Sequence, residues 1–313
     1  YFYYLNTIIF KYKMETLDNM EYRISTITAI AKLNTLIILE KLYNIFQVDD
    51  EQKLYYNTNK KNIINNLSFV EYGKTKDISN SKGVNPKYNK KKTYKKKLKK
   101  SKRFDNQLTI ILHINGNYIN MKIFKNGRIQ MTGLKTIDNG PLAIDLIINI
   151  INNLNNINKD ILENENLENT ETILLNNDIK YKLEYTDFKI CLINSNFKFT
   201  SKIRRNKFFQ FLNEKTEIIC SYEPCIYPGV KIQFFYNIKL DGVCRCSTGF
   251  CSNKKKESMC VKVTIAVFES GCTIITGAKS LEQLNAAYNY IKKLLINNIE
   301  SFKKIDIDQL LLE

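Results

Sequence analysis

The sequence has no tryptophan, one histidine and 4 prolines in 313 residues. It also has no cysteine before residue 191, few acidic groups and no long apolar run. Each scarcity excludes something. The only histidine, His113, lies inside an apolar strand pattern and reads as structural. No phosphate loop, nucleophile elbow or spaced carboxylate pair appears, so nothing in the residues favours an enzyme. No apolar stretch approaches the roughly 20 residues that a membrane-spanning helix needs. Residues 1–13 are apolar and aromatic but lack the basic leader and small-residue cleavage site of a secretory signal, and Met14 is a plausible start. The expectation is a soluble, intracellular protein whose cysteines are thiols or metal ligands rather than disulfides.

What is abundant is positive charge. Lys and Arg number 48 against 31 Asp and Glu, a net of +17. Eleven of those cations fall between Lys87 and Arg103 with no acidic residue among them, leaving 17 − 11 = +6 for the rest. A balance of this kind favours a polyanionic partner.

The chain repeats itself. Ile123-Phe-Lys-Asn-Gly-Arg-Ile-Gln-Met-Thr-Gly-Leu-Lys135 recurs as Val267-Phe-Glu-Ser-Gly-Cys-Thr-Ile-Ile-Thr-Gly-Ala-Lys279, with Phe, Gly, Thr, Gly and Lys in gapless correspondence 144 residues apart (124 to 268). Apolar residues, a turn ending in Gly and alternating residues make each copy a β-hairpin. Amphipathic helices follow over 137–157 and 281–299, the second opened by a Ser280/Gln283 capping box. Upstream, residues 22–29 and 188–193 predict strands, and 34–46 and 201–212 predict helices. Each half thus reads strand, helix, several strands, long helix.

The segment Ser221-Tyr-Glu-Pro-Cys-Ile-Tyr-Pro-Gly-Val230 resembles the YEPxxFPG segment of TATA-box-binding proteins, and residues 267–283 resemble that family's IFxSGKxxxTGAKSxEQ stretch. Tyr22-Arg-Ile-Ser-Thr-Ile27 with Lys32-Leu33 is similar to the family's NIVSTV…KLDL opening. Glu71-Tyr72 and Lys102-Arg103-Phe104 resemble its EYNPKRF segment, split by about thirty inserted residues. The matches run in order through both repeats, and the first-repeat form looks like the divergent homologues of large DNA viruses, which implies a viral factory, virion or nucleus as location. The resemblance implies an α+β, TATA-box-binding-protein-like saddle: two pseudo-symmetric repeats forming a curved antiparallel ten-stranded sheet, with four helices on the convex face and A·T-rich DNA against the concave one. The corresponding organisation is an extension (1–20), a first repeat (21–157) with a lysine-rich insertion (73–103), and a linker (158–182). A second repeat (183–302) with a cysteine-rich insertion (239–260) and a tail (303–313) complete it.

The same resemblance assigns site residues. Aromatic wedges that unstack base steps would be Phe104 and Phe124 in the first repeat, and Tyr227 and Phe268 in the second. Groove-floor positions fall on Ile24, Gln130, Thr132, Ile193, Ile274 and Thr276, small, apolar or hydroxyl side chains suited to A·T pairs. The family's floor asparagines align nearest to Tyr22 and Cys191, and Lys122 stands where the family has leucine, so the floor departs from the pattern. Phosphate contacts would come from Arg128, Lys135 and Lys279, with Cys272 at the second repeat's counterpart of Arg128. Tyr222, Glu223 and Pro224 correspond to the family's docking site for factor IIB.

Two features stand apart from the resemblance. The run from Lys90 to Lys100 could add nonspecific DNA affinity, act as a nuclear-import signal, or be a solvated loop. Cys244, Cys246, Cys251 and Cys260 could hold structural Zn²⁺ in a closed four-thiolate site, or remain free or redox-active thiols. DNA binding itself requires no cofactor. The reading is a transcription initiation factor that bends A·T-rich double-stranded DNA and recruits a factor-IIB-like protein and RNA polymerase. An architectural DNA-binding protein without promoter specificity, or a protein-interaction scaffold, remains the alternative.

Overall fold

The structure, a computed structural model, describes residues 20–48, 54–56, 67–75, 78–83, 85, 106–165, 183–246 and 260–304. The chain divides into two compact units, residues 27–191 and residues 192–313 together with the N-terminal stretch through Thr26.

The 27–191 unit takes most of β1 (Arg23–Leu33), then α1 (Leu39–Ile45), β2 (Phe46–Val48), β3 (Leu54–Tyr56), β4 (Leu67–Thr75) and β5 (Ile78–Gly83). It continues through β6 (Gln107–Ile114), β7 (Asn117–Phe124), β8 (Arg128–Leu134), α2 (Asn139–Glu165) and the start of β9 (Tyr185–Lys198). Its strands are ordered β1-β8-β7-β6-β4-β5, antiparallel throughout, with β2 and β3 paired separately. The second unit holds the rest of β9, then α3 (Arg205–Lys215), β10 (Ile219–Ser221), β11 (Val230–Tyr236), β12 (Val261–Val267), β13 (Cys272–Ala278) and α4 (Leu281–Phe302). Its antiparallel order is β10-β11-β12-β13-β9. Apart from the β2–β3 pair these are eleven strands among the described residues, where ten were expected. The additional one is β5, formed by the opening of the lysine-rich insertion.

Alternation decides which face each strand buries. In β7 and β8, Ile119, Met121, Ile123, Ile129 and Met131 are sealed, while Asn120, Lys122, Phe124, Gln130 and Thr132 are not. In β12 and β13 the sealed set is Val263, Ile265, Val267, Thr273 and Ile275, and the half-open set includes Thr264, Ile274 and Thr276. Helices cover the sealed face: α2 lies on β6 and β8, and α4 on β11, β12 and β13. The α4 stripe is Leu284, Ala287, Tyr288, Ile291, Leu294, Leu295 and Phe302, and burying each large apolar side chain contributes about 1.5–3 kcal/mol. α3 adds Phe208 and Leu212, with the Phe208 ring edge-on to Phe302 at 4.8 Å. In α2, Leu142 falls on the expected apolar stripe yet is half exposed, and Ala143, Ile144, Ile147 and Ile151 make the core instead.

The Thr-Gly pair shared by the repeats is a bulge. Register slips where β8 meets β1 between Ile27 and Thr28, and where β13 meets β9 between Ile275 and Ala278. Gly133 and Gly277 occupy these slips with φ of +96° each, a conformation that a Cβ disfavours. The extra residue turns Leu134 and Ala278 back into the core, although simple alternation from Thr132 and Thr276 would leave them outside.

Both short helices start later than their sequence pattern suggests, and for one reason. Leu33 N–H donates to Gly127 O at 2.8 Å and Ile37 N–H to Lys125 O at 3.0 Å, so this backbone is bound to the β7–β8 turn before α1 can begin. In the second repeat Phe199 donates to Gly271 O at 2.9 Å and Ile203 to Glu269 O at 2.8 Å, and α3 begins at Arg205. At the other end of α1 the Lys82 ammonium donates to the carbonyls of Tyr43 (3.0 Å), Asn44 (3.3 Å) and Phe46, capping the helix with a cation from β5. Among the described residues no helix is long and apolar enough to cross a membrane.

Candidate nucleic-acid interface

Among the described residues, each unit leaves one sheet face without helices, and most of the predicted contact residues lie there. Phe124 is the last residue of β7 and Phe268 directly follows β12, each half exposed and in phase with the uncovered side chains of its strand. Each precedes a tight turn closed by glycine: Gly127 N–H donates to Phe124 O and Gly271 N–H to Phe268 O, both at 3.0 Å. A side chain on Gly271 would stand 2.4 Å from Phe199 O, and one on Gly127 2.3 Å from Thr35 O, so glycine lets the strand come this close. The rings therefore sit at the rim of the open face and not under the helices.

In the second repeat Tyr227 joins Phe268, ring centroids 5.7 Å apart, over the narrow floor of Gly229. A Cβ on Gly229 would meet both rings at 3.0–3.2 Å. The Lys231 ammonium lies 4.3 Å from the Tyr227 ring centroid, which brings a cation to the wedge pair. Phe104, the first-repeat counterpart of Tyr227, lies outside the described residues, as do Cys251 and the run from Lys90 to Lys100.

Arg205, which the sequence reading did not single out, ties this corner together. Its guanidinium donates to Pro228 O at 2.5 Å and to a Glu269 carboxylate oxygen at 3.0 Å, and lies 5.6 Å from the Tyr222 ring. Glu269 also pairs with Lys304, and this contact, together with Arg205, holds its carboxyl below the usual range. One α3 residue thus fastens the loop carrying Tyr227 to the turn carrying Phe268. The sequence carried no such signal, because Arg205 and Glu269 are 64 residues apart and meet only through the packing of α3.

On the floor, Gln130, Thr132, Ile274 and Thr276 are half-buried on the open face, as alternation requires. Ile24 is half-buried in phase with Thr28 rather than with the sealed Ile27. Ile193 is a correction. It is 0% exposed and packs in phase with Ser195 and Phe197 on the helix-covered side, leaving Leu192 and Asn194 toward the open face. The sequence offered two adjacent apolar residues, and periodicity alone cannot choose the phase. Asn194 accepts from the Thr276 hydroxyl, so the second repeat has an asparagine on its floor after all. Tyr22, aligned near a floor asparagine, instead donates to Asn285 of α4 at 2.6 Å and packs edge-on to Tyr288 at 5.0 Å.

Basic residues rim both half-sheets. Arg128 is exposed and pairs in register with exposed Lys32. The equivalent register in the second repeat pairs Cys272 with exposed Lys198, so a cation is kept there on the neighbouring strand. Lys135 and Lys279 are exposed where the chain turns into α2 and α4. The Lys279 N–H donates to Gln283 Oε1 at 2.8 Å, while Gln283 N–H donates to Ser280 Oγ at 3.3 Å, completing a capping arrangement one residue wider than the standard box.

The loop after β10 projects Glu223, Pro224, Cys225 and Ile226 into solvent, Ile226 at 79% exposure. Tyr222 is held back against Phe209 at 6.1 Å, and the turn is closed by Tyr227 N–H donating to Glu223 O at 2.8 Å. At the opposite end of β11 and β12, Cys244, Cys246 and Cys260 converge. His113 lies beside Tyr118 at 4.9 Å, a packing contact between neighbouring strands.

These features define a class: a duplicated α+β protein in which each repeat covers one sheet face with helices and leaves the other open, rimmed with cations and aromatic rings. Residues 187–297 match the family described as Transcription factor TFIID (or TATA-binding protein, TBP). The chain is 29% identical over 318 aligned residues to a "TATA-box-binding protein-like" protein of Acanthamoeba polyphaga mimivirus, spanning 95% of this chain and 71% of the viral one. It is 25% identical to TATA-box-binding protein 2 of Entamoeba histolytica over 56% of this chain and 58% of that protein. Among solved structures, Methanococcus jannaschii TBP aligns at a TM-score of 0.41 and 15% identity, over 88% of this chain and 96% of that one.

Proposed function

We propose that this protein is a non-enzymatic, transcription-related DNA-binding factor that engages the minor groove of A·T-rich duplex through the open faces of its repeats. The observation that carries this reading is the half-exposed Tyr227–Phe268 pair at the rim of an uncovered sheet, repeated as Phe124 at the corresponding turn 144 residues earlier. Rings held at a rim by tight turns can enter a base step. Unstacking costs about a few kcal/mol per step, offset when bent DNA meets more protein surface. Hydroxyl, amide and aliphatic floor residues suit the acceptor-only edge of A·T pairs, and the basic rim suits the phosphates.

At the finer level, the DNA is promoter DNA, and the exposed Glu223–Ile226 segment with Tyr222 behind it receives a factor-IIB-like protein that brings RNA polymerase. The altered floor favours a second reading, an architectural protein that bends A·T-rich DNA without promoter selectivity. Lys122 shares the open face with Gln130, and Cys272 replaces a basic residue.

End-to-end energy transfer on A·T-rich and scrambled duplexes, across a salt series, tests the proposal. Selective bending is expected, and Phe268→Ala or Phe124→Ala should reduce affinity about ten-fold or more with little change in melting temperature, because a few kcal/mol of wedge insertion is at stake. Equal bending of all sequences supports the architectural reading. No binding to either duplex overturns both.

A further inference from the structure

We propose that Cys244, Cys246 and Cys260 form a structural zinc site that fastens the β11–β12 connection, independently of DNA binding. The three Sγ atoms lie within 4.8 Å of one another, and Cys246 and Cys260 are 3.7 Å apart. Zinc–thiolate bonds of about 2.3 Å in a tetrahedron set the sulfurs about 3.8 Å from each other. A disulfide would need about 2.05 Å and would strand the third sulfur. The spacing suits an ion at the centre of the group better than any cysteine pair.

The surroundings support the assignment. Cys260 is 4% exposed beside Phe235, with Ile219, Cys244 and Cys246 packed against the same spot, so the sulfurs gather in an apolar, water-poor corner. The Asn237 amide donates to Val243 O at 2.8 Å and faces Cys260 Sγ at 3.6 Å, the kind of outer contact that orients a ligand and moderates its charge. Asp241 accepts from Val243 N–H at 3.1 Å, and Gly242, at φ +78°, accepts from Phe235 N–H at 2.9 Å, which bends the chain so that Cys244 and Cys246 face Cys260. The first repeat closes its equivalent hairpin with two residues, Asn115 and Gly116. The second uses the whole segment from Asn237 to Cys260, and among its described residues the large apolar Ile238 and Leu240 are exposed. A long connection gains from a further tie, and a tetrahedral, redox-inert ion supplies one to thiolates. Three thiolates leave a fourth position for one further donor. The site lies at the far end of β12 from Phe268, with Cys260 eight residues or about 26 Å along an extended strand, so it acts on the fold and not at the wedge.

The experiment is metal analysis of the full chain purified without chelator under reducing conditions, beside Cys246→Ser, Cys260→Ser and a Cys220→Ser control. About one zinc per chain is expected in the parent and the control, and loss of it in the other two. Should those two fail to fold, cobalt titration of the metal-stripped parent gives the answer: intense thiolate-to-cobalt absorption with tetrahedral bands supports the site. No metal in the parent and no such absorption overturns it. So does full zinc retention in both cluster variants, or an intact-mass shift showing a disulfide within the group.

Discussion

Gly271 and its counterpart Gly127 show how much of the open face depends on residues that have no side chain. Each lets a hairpin turn press against the strand that begins its repeat, close enough for Gly271 O to accept from Phe199 and Gly127 O from Leu33. Both have positive φ, +79° and +75°. A Gly271→Ala side chain would meet strain and two carbonyl oxygens of fixed backbone at 2.4 and 2.8 Å. The expected loss is about 1–3 kcal/mol or more, measured as a lower midpoint in urea unfolding. The turn should also loosen around Phe268, so amide exchange at 268–272 should quicken ahead of global unfolding. At this scale the sequence was informative: the gapless Phe-x-x-Gly repeat located both turns, and alternation placed Gln130 with Thr132, and Ile274 with Thr276, each pair on the open face of its own repeat. It misled at Ile193, because Leu192 and Ile193 are both apolar and only the helices determine which one is sealed.

Among the elements, α3 both packs and positions. Phe208 and Leu212 anchor it to the core, and Arg205 at its first turn grips Pro228, Glu269 and Tyr222. Arg205→Ala should cost the fold only modestly, since the ion pair with Glu269 is partly exposed and screened by solvent. It should free the 222–228 loop, seen as faster amide exchange there and weaker DNA bending, with Arg205→Lys restoring little because one ammonium cannot hold both partners in the same plane. Unchanged exchange across 222–228 would refute this role. Helix starts were not legible to the residue: the patterns over 34–46 and 201–212 are helical, but their first residues serve the adjoining turn instead. Nor was β5 foreseen, because a strand inside a lysine-rich insertion gains its place from β4 and from the Lys82 cap on α1, contacts made only in three dimensions.

For the whole molecule, the proposed function makes charge the governor of the first encounter with DNA. The net of +17 is concentrated in one run, and the rim adds Lys32, Arg128, Lys198 and Lys279. If these rim groups neutralise phosphates, log affinity falls linearly with log salt, and each contact removed lowers the slope by about 0.9. Lys198→Gln and Arg128→Gln should each show that decrement, similarly on A·T-rich and scrambled duplexes. Fluorescence-anisotropy titrations from low to moderate salt provide the test, and an unaltered slope would mean that the side chain faces solvent in the complex. The duplication itself was plain from the residues, since turn, bulge and helix recur in one order. Which strands bear the insertions was only partly so.

The two hairpins that differ most between the repeats share one property. β6 and β7 meet in Asn115 and Gly116, both at positive φ, the tightest reversal a strand pair can make, whereas β11 and β12 part for more than twenty residues before resuming their ladder in phase, Tyr236 opposite Val261. The longer excursion leaves no trace in the pairing on either side of it. That end of the repeat is therefore free to lengthen, shorten or acquire new chemistry over evolutionary time, while the rim that holds Phe268 keeps its shape.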